Sequence, residues 1–439
     1  MYPVLLNVKL LKRQPDISTV SIDGLYNIRQ PINESAVSIL ELCNGNNSVD
    51  EISSQLSMKY NDDYHKVYGM VNGFLAESIK VRLIKMLDKP LPDKIEINTI
   101  GNKEYWMPDA LIIELTHNCP LDCRHCYLGK KQNHSMDYEL LINLINDAEK
   151  CGIESIQLTG GEPLIYEYLE NVISYLDQKS IKTVITTSGY ISNKKLDQIM
   201  QYLKLINNQR GYVQVSIDGI EESHNIRRGN SQSYSKAINF IRKMVKNDIT
   251  VHVASTITKD TLHELFELSL LLKNEGVRVH RIGGVTEMGN AKGNDYYDDE
   301  FDDDLKTEIE NIKTRIMDDR YRIQGFEESY ADQKINLKNC GAGYRFYKIS
   351  PGFEVYPCPM YDQHIISNYN GLNFSEIIKK GSSKYSGIRW PEKSLCNSCS
   401  MLYKCNHCMA EGLRNSKCVS SCQWLNKYYQ YKISNSEVV

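Results

Sequence analysis

The sequence predicts an α/β fold: a partial (β/α)6 barrel of the TIM type, preceded by a winged-helix module and followed by a cysteine-rich domain. Three observations predict it. Short β-branched runs alternate with helix-patterned stretches through the middle of the chain. The most distinctive residues fall at the C-terminal ends of those runs. Most of the 13 cysteines crowd into the last hundred residues.

The N-terminal ninety residues read as a unit of their own. VSIDGLYNI predicts strand–turn–strand, with Asp23-Gly24 at the turn. Asn33 or Ser35 offers an N-cap for a helix carrying Val37, Leu40 and Cys43, widened by Ile39 and Leu42 and ended by Gly45. A second helix fits Val49 to Tyr60, capped by Ser48, with Ile52, Leu56 and Tyr60 on one face. A third runs from about Asp63 to Ile79, followed by the strand-like VRLIKML. Short strands with three helices suggest a winged helix over 1–92. Pro90 and Pro92 mark a linker.

The middle of the chain carries the barrel. Its strands are ALIIELT, SIQLTG, KTVITTS, YVQVSID, TVHVASTIT and VRVHRIGG. Near-continuous apolar strands separated by helices such as MDYELLINLINDAEKCG indicate parallel βα units. Chemistry in such barrels sits at the C-terminal strand ends. The barrel is placed over 105–310, a bridging region over 311–339 and the cysteine-rich domain over 340–439. The acidic run DYYDDEFDDD, 295–304, reads as a solvated loop or as a docking surface for a basic substrate segment.

Composition excludes several classes. A net charge of −3 gives no basic field for nucleic acid. No apolar run approaches the roughly 18–20 residues of a membrane span. The N-terminus shows no cleavage site, so no signal peptide is expected and the cytoplasm is the expected compartment. In a reducing compartment, clustered thiols suit metals better than disulfides. Cys43 and Cys151 stand apart on helical apolar faces and read as packing residues.

Cys119-Pro-Leu-Asp-Cys123-Arg-His-Cys126 is a C-x3-C-x2-C loop directly after the first barrel strand. Three thiolates on one loop can hold three irons of a four-iron cubane and leave the fourth open. A zinc knuckle using His117 or His125 is the alternative. This loop, with Tyr127 after it, resembles the signature of radical S-adenosylmethionine (radical SAM) enzymes. Gly160-Gly161-Glu162-Pro163 at the second strand end resembles that family's methionine-amino motif. Thr186, Thr187 and Ser188 end the third strand, where polar groups could reach the ribose. By the same resemblance Ser216 and Arg228 would hold the methionine carboxylate, which suits a guanidinium fork. Arg227 leaves that assignment open by one residue, and a surface salt bridge is the plainer role. The resemblance implies an oxidoreductase that reductively cleaves S-adenosylmethionine to a 5′-deoxyadenosyl radical.

Cys340 and Cys358 precede Cys396-x2-Cys399-x5-Cys405-x2-Cys408, and Cys418 and Cys422 follow. Eight thiols fit two four-iron clusters or two zinc ribbons. PGFEVYPCP resembles the SPASM extension of radical SAM peptide maturases. That resemblance implies three [4Fe-4S] clusters, one catalytic and two auxiliary. Cys340, Cys358 and Cys408 would belong to the inner auxiliary cluster, and Cys396, Cys399 and Cys405 to the outer. Cys418 and Cys422 would complete the two sets in an unfixed order. The spacing departs from the usual pattern before Cys408 and between Gly352 and Cys358.

NESAVSILELCNGNNSVDEI resembles the PqqD-like domain that binds leader peptides by strand addition. A winged-helix nucleic-acid module is the alternative, disfavoured by the lack of a basic stripe. Together the three blocks imply a maturase of a ribosomally made precursor peptide, supplied by a reducing donor of flavodoxin or ferredoxin type. The chain resembles most the streptide-type lysine–tryptophan peptide cyclases, implying a carbon–carbon crosslink. A thioether-forming maturase is the next reading. Peptide epimerase, sulfatase maturase and a non-catalytic iron–sulfur electron carrier are further alternatives. No catalytic base is nominated.

Overall fold

The computed structural model describes the chain except residues 7, 23–28, 130–132, 295, 297, 326–337, 362–363, 372–373, 406 and 430–439. The Asp23-Gly24 turn lies outside the described residues. The chain divides into two compact units, Met1–Met107 and Pro108–Val439.

In the first unit, β1 (Tyr2–Leu5) pairs antiparallel with a later strand, β5 (Ile84–Leu87). A four-stranded sheet holds β2 (Val8–Arg13), β3 (Ser18–Ile22), β4 (Arg29–Ile32) and β6 (Thr99–Gly101) in the order β4-β3-β2-β6. Because β6 joins parallel to β2, this unit reaches past the Pro90–Pro92 segment. Its three helices are α1 (Glu34–Leu42), α2 (Val49–Tyr60) and α3 (Tyr64–Lys80). Each has a side-chain cap at its N-terminus: Asn33, Ser48 and Asp63. Ser48 and Glu51 form a reciprocal capping box, which satisfies two backbone donors the helix leaves unpaired. Val37, Leu40, Cys43, Ile52 and Leu56 are buried, all but Val37 in one core with Val71 and Leu75 of α3. Tyr60 departs from the expected face. It is exposed, and its hydroxyl pairs with Ser38 Oγ at 2.7 Å, since a phenol keeps its polar end near water.

The second unit is built on one sheet. The expected strands are β7 (Ala110–Thr116), β8 (Ser155–Gly160), β9 (Lys182–Thr187), β10 (Tyr212–Ser216), β11 (Val251–Ile257) and β12 (Val279–Gly284). They pair in sequence order and in parallel. Between them run α4 (Tyr138–Lys150), α5 (Leu169–Gln178), α6 (Asn193–Leu205), α7 (Glu221–Arg228), α8 (Ser233–Lys246) and α9 (Leu265–Asn274). Leu111, Ile113, Leu158, Ile185, Val215 and Val253 are fully buried in the strands, and Leu141, Leu144, Leu176 and Ile241 in the helices. Full burial of such a side chain contributes roughly 1.5–3 kcal/mol. The layered core therefore fixes where each strand ends.

The sheet extends beyond those six strands. After α10 (Asp299–Ile316), β13 (Arg322–Gly325) adds in parallel to β12. At the other edge β14 (Phe346–Ile349) lies parallel to β7, followed antiparallel by β15 (Glu354–Tyr356) and β16 (Ser367–Asn368). The expected bridging region 311–339 thus contains the end of α10 and a barrel strand. Among the described residues the sheet stays open, with β13 and β16 at its edges. The acidic run is a helix start, not a loop: from 299 onward it forms the first turns of α10, capped by Asp298. Carboxylates suit that end of a helix dipole.

Candidate active site

The C-terminal ends of β7 to β12 surround a cavity of about 840 Å³. That lies within the range of pockets that enclose a cofactor-sized ligand. Cys119, Cys123 and Cys126 line it, as do Gly160, Gly161, Thr187, Ser188, Ser216 and Arg228. Glu162 and Pro163 do not.

The three-cysteine loop is held by its neighbours' backbone. Asp122 and Arg124 N–H donate to the carbonyls of Arg228 and Arg227. Asn290 N–H donates to Cys126 O, and its side chain donates to Cys123 O. Glycine is needed at this contact. A Cβ on Gly289 (φ +52°) would lie 2.2 Å from Cys126 O. Burial raises the Cys119 thiol to about 12, and Cys123 and Cys126 add to the rise. Three such thiols become thiolates when a metal supplies positive charge.

Gly160 and Gly161, which line the cavity, also make a close contact within the chain. A Cβ on Gly160 would lie 2.2 Å from Thr116 O, and one on Gly161 2.3 Å from Asn118 O. The glycines let the end of β8 close on the start of the cysteine loop, and Gly161 N–H donates to Thr116 O at 2.6 Å. Glu162 points away from the cavity into the protein. It is fully buried and accepts from Thr187 Oγ1 at 2.6 Å, from the Ser188 N–H at 2.9 Å and from the Ser188 hydroxyl. Burial raises its carboxyl, and these donors hold the rise back. Glu162 therefore stitches the end of β8 to the end of β9. Pro163 starts a short 3-10 turn behind it.

Arg227 and Arg228 diverge. Arg228 faces the cavity, pairs with Asp218 Oδ2 at 2.7 Å and approaches Cys123 Sγ at 3.8 Å. Arg227 turns to Thr258 Oγ1 instead. Among the described residues Arg228 Nε is buried without a hydrogen-bond partner, which leaves the guanidinium a donor for a carboxylate. Burial opposes ionisation of Asp218, but Arg228, His125 and His224 hold its carboxyl down at about 2. His125, inside the cysteine loop, lies 3.4 Å from Asp218 and is lowered to about 4 by burial. Nothing in the residue pattern alone singles out Asp218.

The C-terminal cysteines form two groups. Cys340 and Cys408 both act electrostatically on buried Cys358. Cys399 and Cys422 both act on Cys396 and on Cys405, and these four line one small pocket with Trp424. Cys418 is exposed and does not line that small pocket. All 13 cysteines lie within the described residues. Cys408 and Glu411 also line the large cavity, which the sequence did not indicate. Among the described residues no three His, Cys, Asp or Glu side chains gather for a single metal ion. Three thiols on one loop fit the donor chemistry of an iron–sulfur cube, whose irons sit at separate corners.

Residues 113–272 match the radical SAM superfamily, and residues 29–84 match the coenzyme PQQ synthesis protein D (PqqD) family. The chain carries a radical SAM domain and a PqqD-like domain. It is an enzyme of that chemistry, and its radical SAM domain works with S-adenosylmethionine and a [4Fe-4S] cluster. The chain is 24% identical over 333 residues to the antilisterial bacteriocin subtilosin biosynthesis protein AlbA of Bacillus subtilis, covering 73% of this chain and 71% of that protein. It is 22% identical over 322 residues to the PqqA peptide cyclase of Bradyrhizobium diazoefficiens, covering 67% and 79%. The fold is similar to that of Streptococcus suis SuiB bound to precursor peptide SuiA (TM-score 0.67, 14% identity, 98% of each chain). Among the described residues no helix is long and apolar enough to cross a membrane.

Proposed function

We propose that this enzyme matures a ribosomally made precursor peptide by closing an intrapeptide crosslink. One observation carries the reading: a single cavity is lined both by the three-cysteine loop and by Cys408 and Glu411 of the C-terminal region. A substrate there would meet the radical site and an auxiliary thiol set together. The PqqD-like unit supplies a second support, since strand addition at its sheet edge would capture a leader segment. AlbA and the PqqA peptide cyclase bear peptide-maturation names consistent with this role.

Bound at the three-cysteine loop, cluster and S-adenosylmethionine would supply a 5′-deoxyadenosyl radical able to take hydrogen from an unactivated carbon. The chain's own residues position and shield. Cys119, Cys123 and Cys126 would hold three irons and leave the fourth for the cofactor. Gly160 and Gly161 would present backbone to its amino group, Thr187 and Ser188 would face its ribose, and Ser216 and Arg228 would take its carboxylate. Cys396, Cys399, Cys405 and Cys422 would hold an outer auxiliary cluster, and Cys340, Cys358 and Cys408 an inner one. A flavodoxin- or ferredoxin-type protein would deliver the electron.

The cysteine grouping bears on the bond formed. Full thiolate ligation of both sets would favour a carbon–carbon crosslink of the lysine–tryptophan type. On this proposal the inner set has three thiols and exposed Cys418 lies outside both sets. That leaves a ligand position for a peptide thiolate, which favours a thioether. Epimerisation finds less support, because Cys151 caps α4, is buried and does not line the cavity.

The test is a mass measurement on a short peptide encoded beside this gene, after reaction with the reduced enzyme. Loss of two hydrogens supports a crosslink; an unchanged mass contradicts it. Alkylation of the product separates the two bond types, since a thioether consumes a cysteine thiol and a carbon–carbon bond does not.

A further inference from the structure

Glu114 is a charged residue in the apolar strand ALIIELT, and it is 0% exposed. A carboxylate taken out of water needs partners. It has three. Tyr127 Oη donates to one oxygen at 2.8 Å. His117 Nε2 lies 3.2 Å from the other, and Lys348 Nζ lies 3.5 Å from that same oxygen. His117 precedes Cys119 and Tyr127 follows Cys126, so the two partners bracket the cysteine loop. Both line the cavity.

Lys348 comes from far along the chain. It lies on β14, the strand that pairs with β7 and leads through β15 toward Cys358. Its ammonium sits 3.8 Å from the centre of the Tyr356 ring, and it too is nearly fully buried. A second buried ion pair, Arg345 with Asp109 at 2.6 Å, crosses the same β7–β14 seam one strand length away. The Asp109 pair sits at the strand starts, remote from the cysteine loop. The Glu114 pair sits where β7 delivers that loop.

We infer that Glu114 is a positioning residue that clasps both ends of the three-cysteine loop, with Lys348 as its counter-charge. The sheet itself does not require a carboxylate there. Ile112, two residues before it and on the same face of β7, is apolar, and an apolar side chain at 114 would carry no desolvation cost. What only the carboxylate does is accept from two side chains on opposite ends of one loop. This rests on Cys119, Cys123 and Cys126 being the iron-binding loop. Iron content of the triple Cys→Ala variant tests that reading separately.

The experiment uses the full chain, reconstituted, as E114Q, K348Q and the double variant E114Q/K348Q. Glu114→Gln keeps an acceptor for Tyr127 and removes the charge; Lys348→Gln leaves the buried carboxylate uncompensated. Two readouts are taken: the rate of 5′-deoxyadenosine formation, and the change in the reduced cluster's electron paramagnetic resonance spectrum when S-adenosylmethionine is added. The auxiliary cluster signals serve as the internal reference. Each single variant is expected to slow the rate about tenfold or more, as small misplacements of reacting groups do, and to alter the cofactor-dependent spectral change. The double variant is expected to be no slower than E114Q, rather than slower by the product of the two single losses, because the two charges act as a pair. The inference is overturned if both single variants keep the parent rate and spectral response. It is equally overturned if the two single losses simply multiply in the double variant, including where either single variant folds poorly.

Discussion

The three-cysteine loop and the C-terminal cysteines arrange their thiols by different means. The loop is anchored from outside itself: the carbonyls of Arg227 and Arg228, the Asn290 side chain, and the carboxylates of Glu114 and Asp218 all hold it. Of those anchors, Glu114 stands on β7 and Arg227 and Arg228 on α7, while Asp218 lies two residues past the end of β10. The C-terminal thiols sit on short local turns instead. Their helices, Lys393–Cys396, Leu402–Cys405 and Met409–Asn415, span only 4, 4 and 7 residues. Many of their backbone bonds are local, as in Cys399 N–H to Cys396 O and Cys408 N–H to Cys405 O. Helices that short are marginal without outside support. The barrel thus pre-forms the first site, whereas the second is held largely by its own short turns.

The largest expected effect tests the grouping within the second region. Cys422→Ala should remove a whole cluster, about four of roughly twelve irons if three cubes are bound. Cys418→Ala should leave iron content unchanged. Iron analysis of the two variants checks this, and the reverse pattern would overturn the four-and-three division.

A smaller effect probes the pre-formed loop. Arg228→Ala strands buried Asp218 without its counter-charge, which should cost about 3–5 kcal/mol in thermal unfolding. Arg227→Ala removes a hydrogen bond to Thr258 and should cost less. If the two variants were equally stable, Arg228 would not be the anchor that sets the first region apart.

The smallest effect lies in the other unit and serves as a control. Ser48→Ala removes the capping box of α2 and should cost about 1 kcal/mol. Iron content and cofactor cleavage should stay at the parent level. A change in either would show that the loop's order depends on more than its own barrel.

What was legible in the sequence follows the same division. The six barrel strands were readable because β-branched runs and their flanking turns are local signals. So was α2, where Ser48 and Glu51 announce a capping box three residues apart. β14 was not, because its partner β7 lies more than two hundred residues earlier and nothing local records the pairing. β6 is silent for a similar reason: three residues with no periodicity join a sheet begun about ninety residues before. At the site, Cys119, Cys123 and Cys126 declared themselves by spacing, whereas Arg228 came only from the resemblance and only the fold separates it from Arg227. Glu162 was visible as a motif, but its direction was not, since only the fold shows that it turns toward Thr187 and Ser188. Glu114 and Asp218 were hidden inside strand patterns. A single acid in an otherwise apolar run was the available signal, and in ALIIELT it can be read as a buried charge that must have partners.

The proposed peptide maturation depends on reductive cleavage of S-adenosylmethionine at the three-cysteine loop and its cavity. The direct measurement is 5′-deoxyadenosine formation by the reconstituted, reduced enzyme beside its Cys119→Ala, Cys123→Ala, Cys126→Ala triple variant. The parent should form 5′-deoxyadenosine, and the triple variant should form none while keeping its auxiliary cluster signals. Continued formation by the triple variant would contradict that role for the loop.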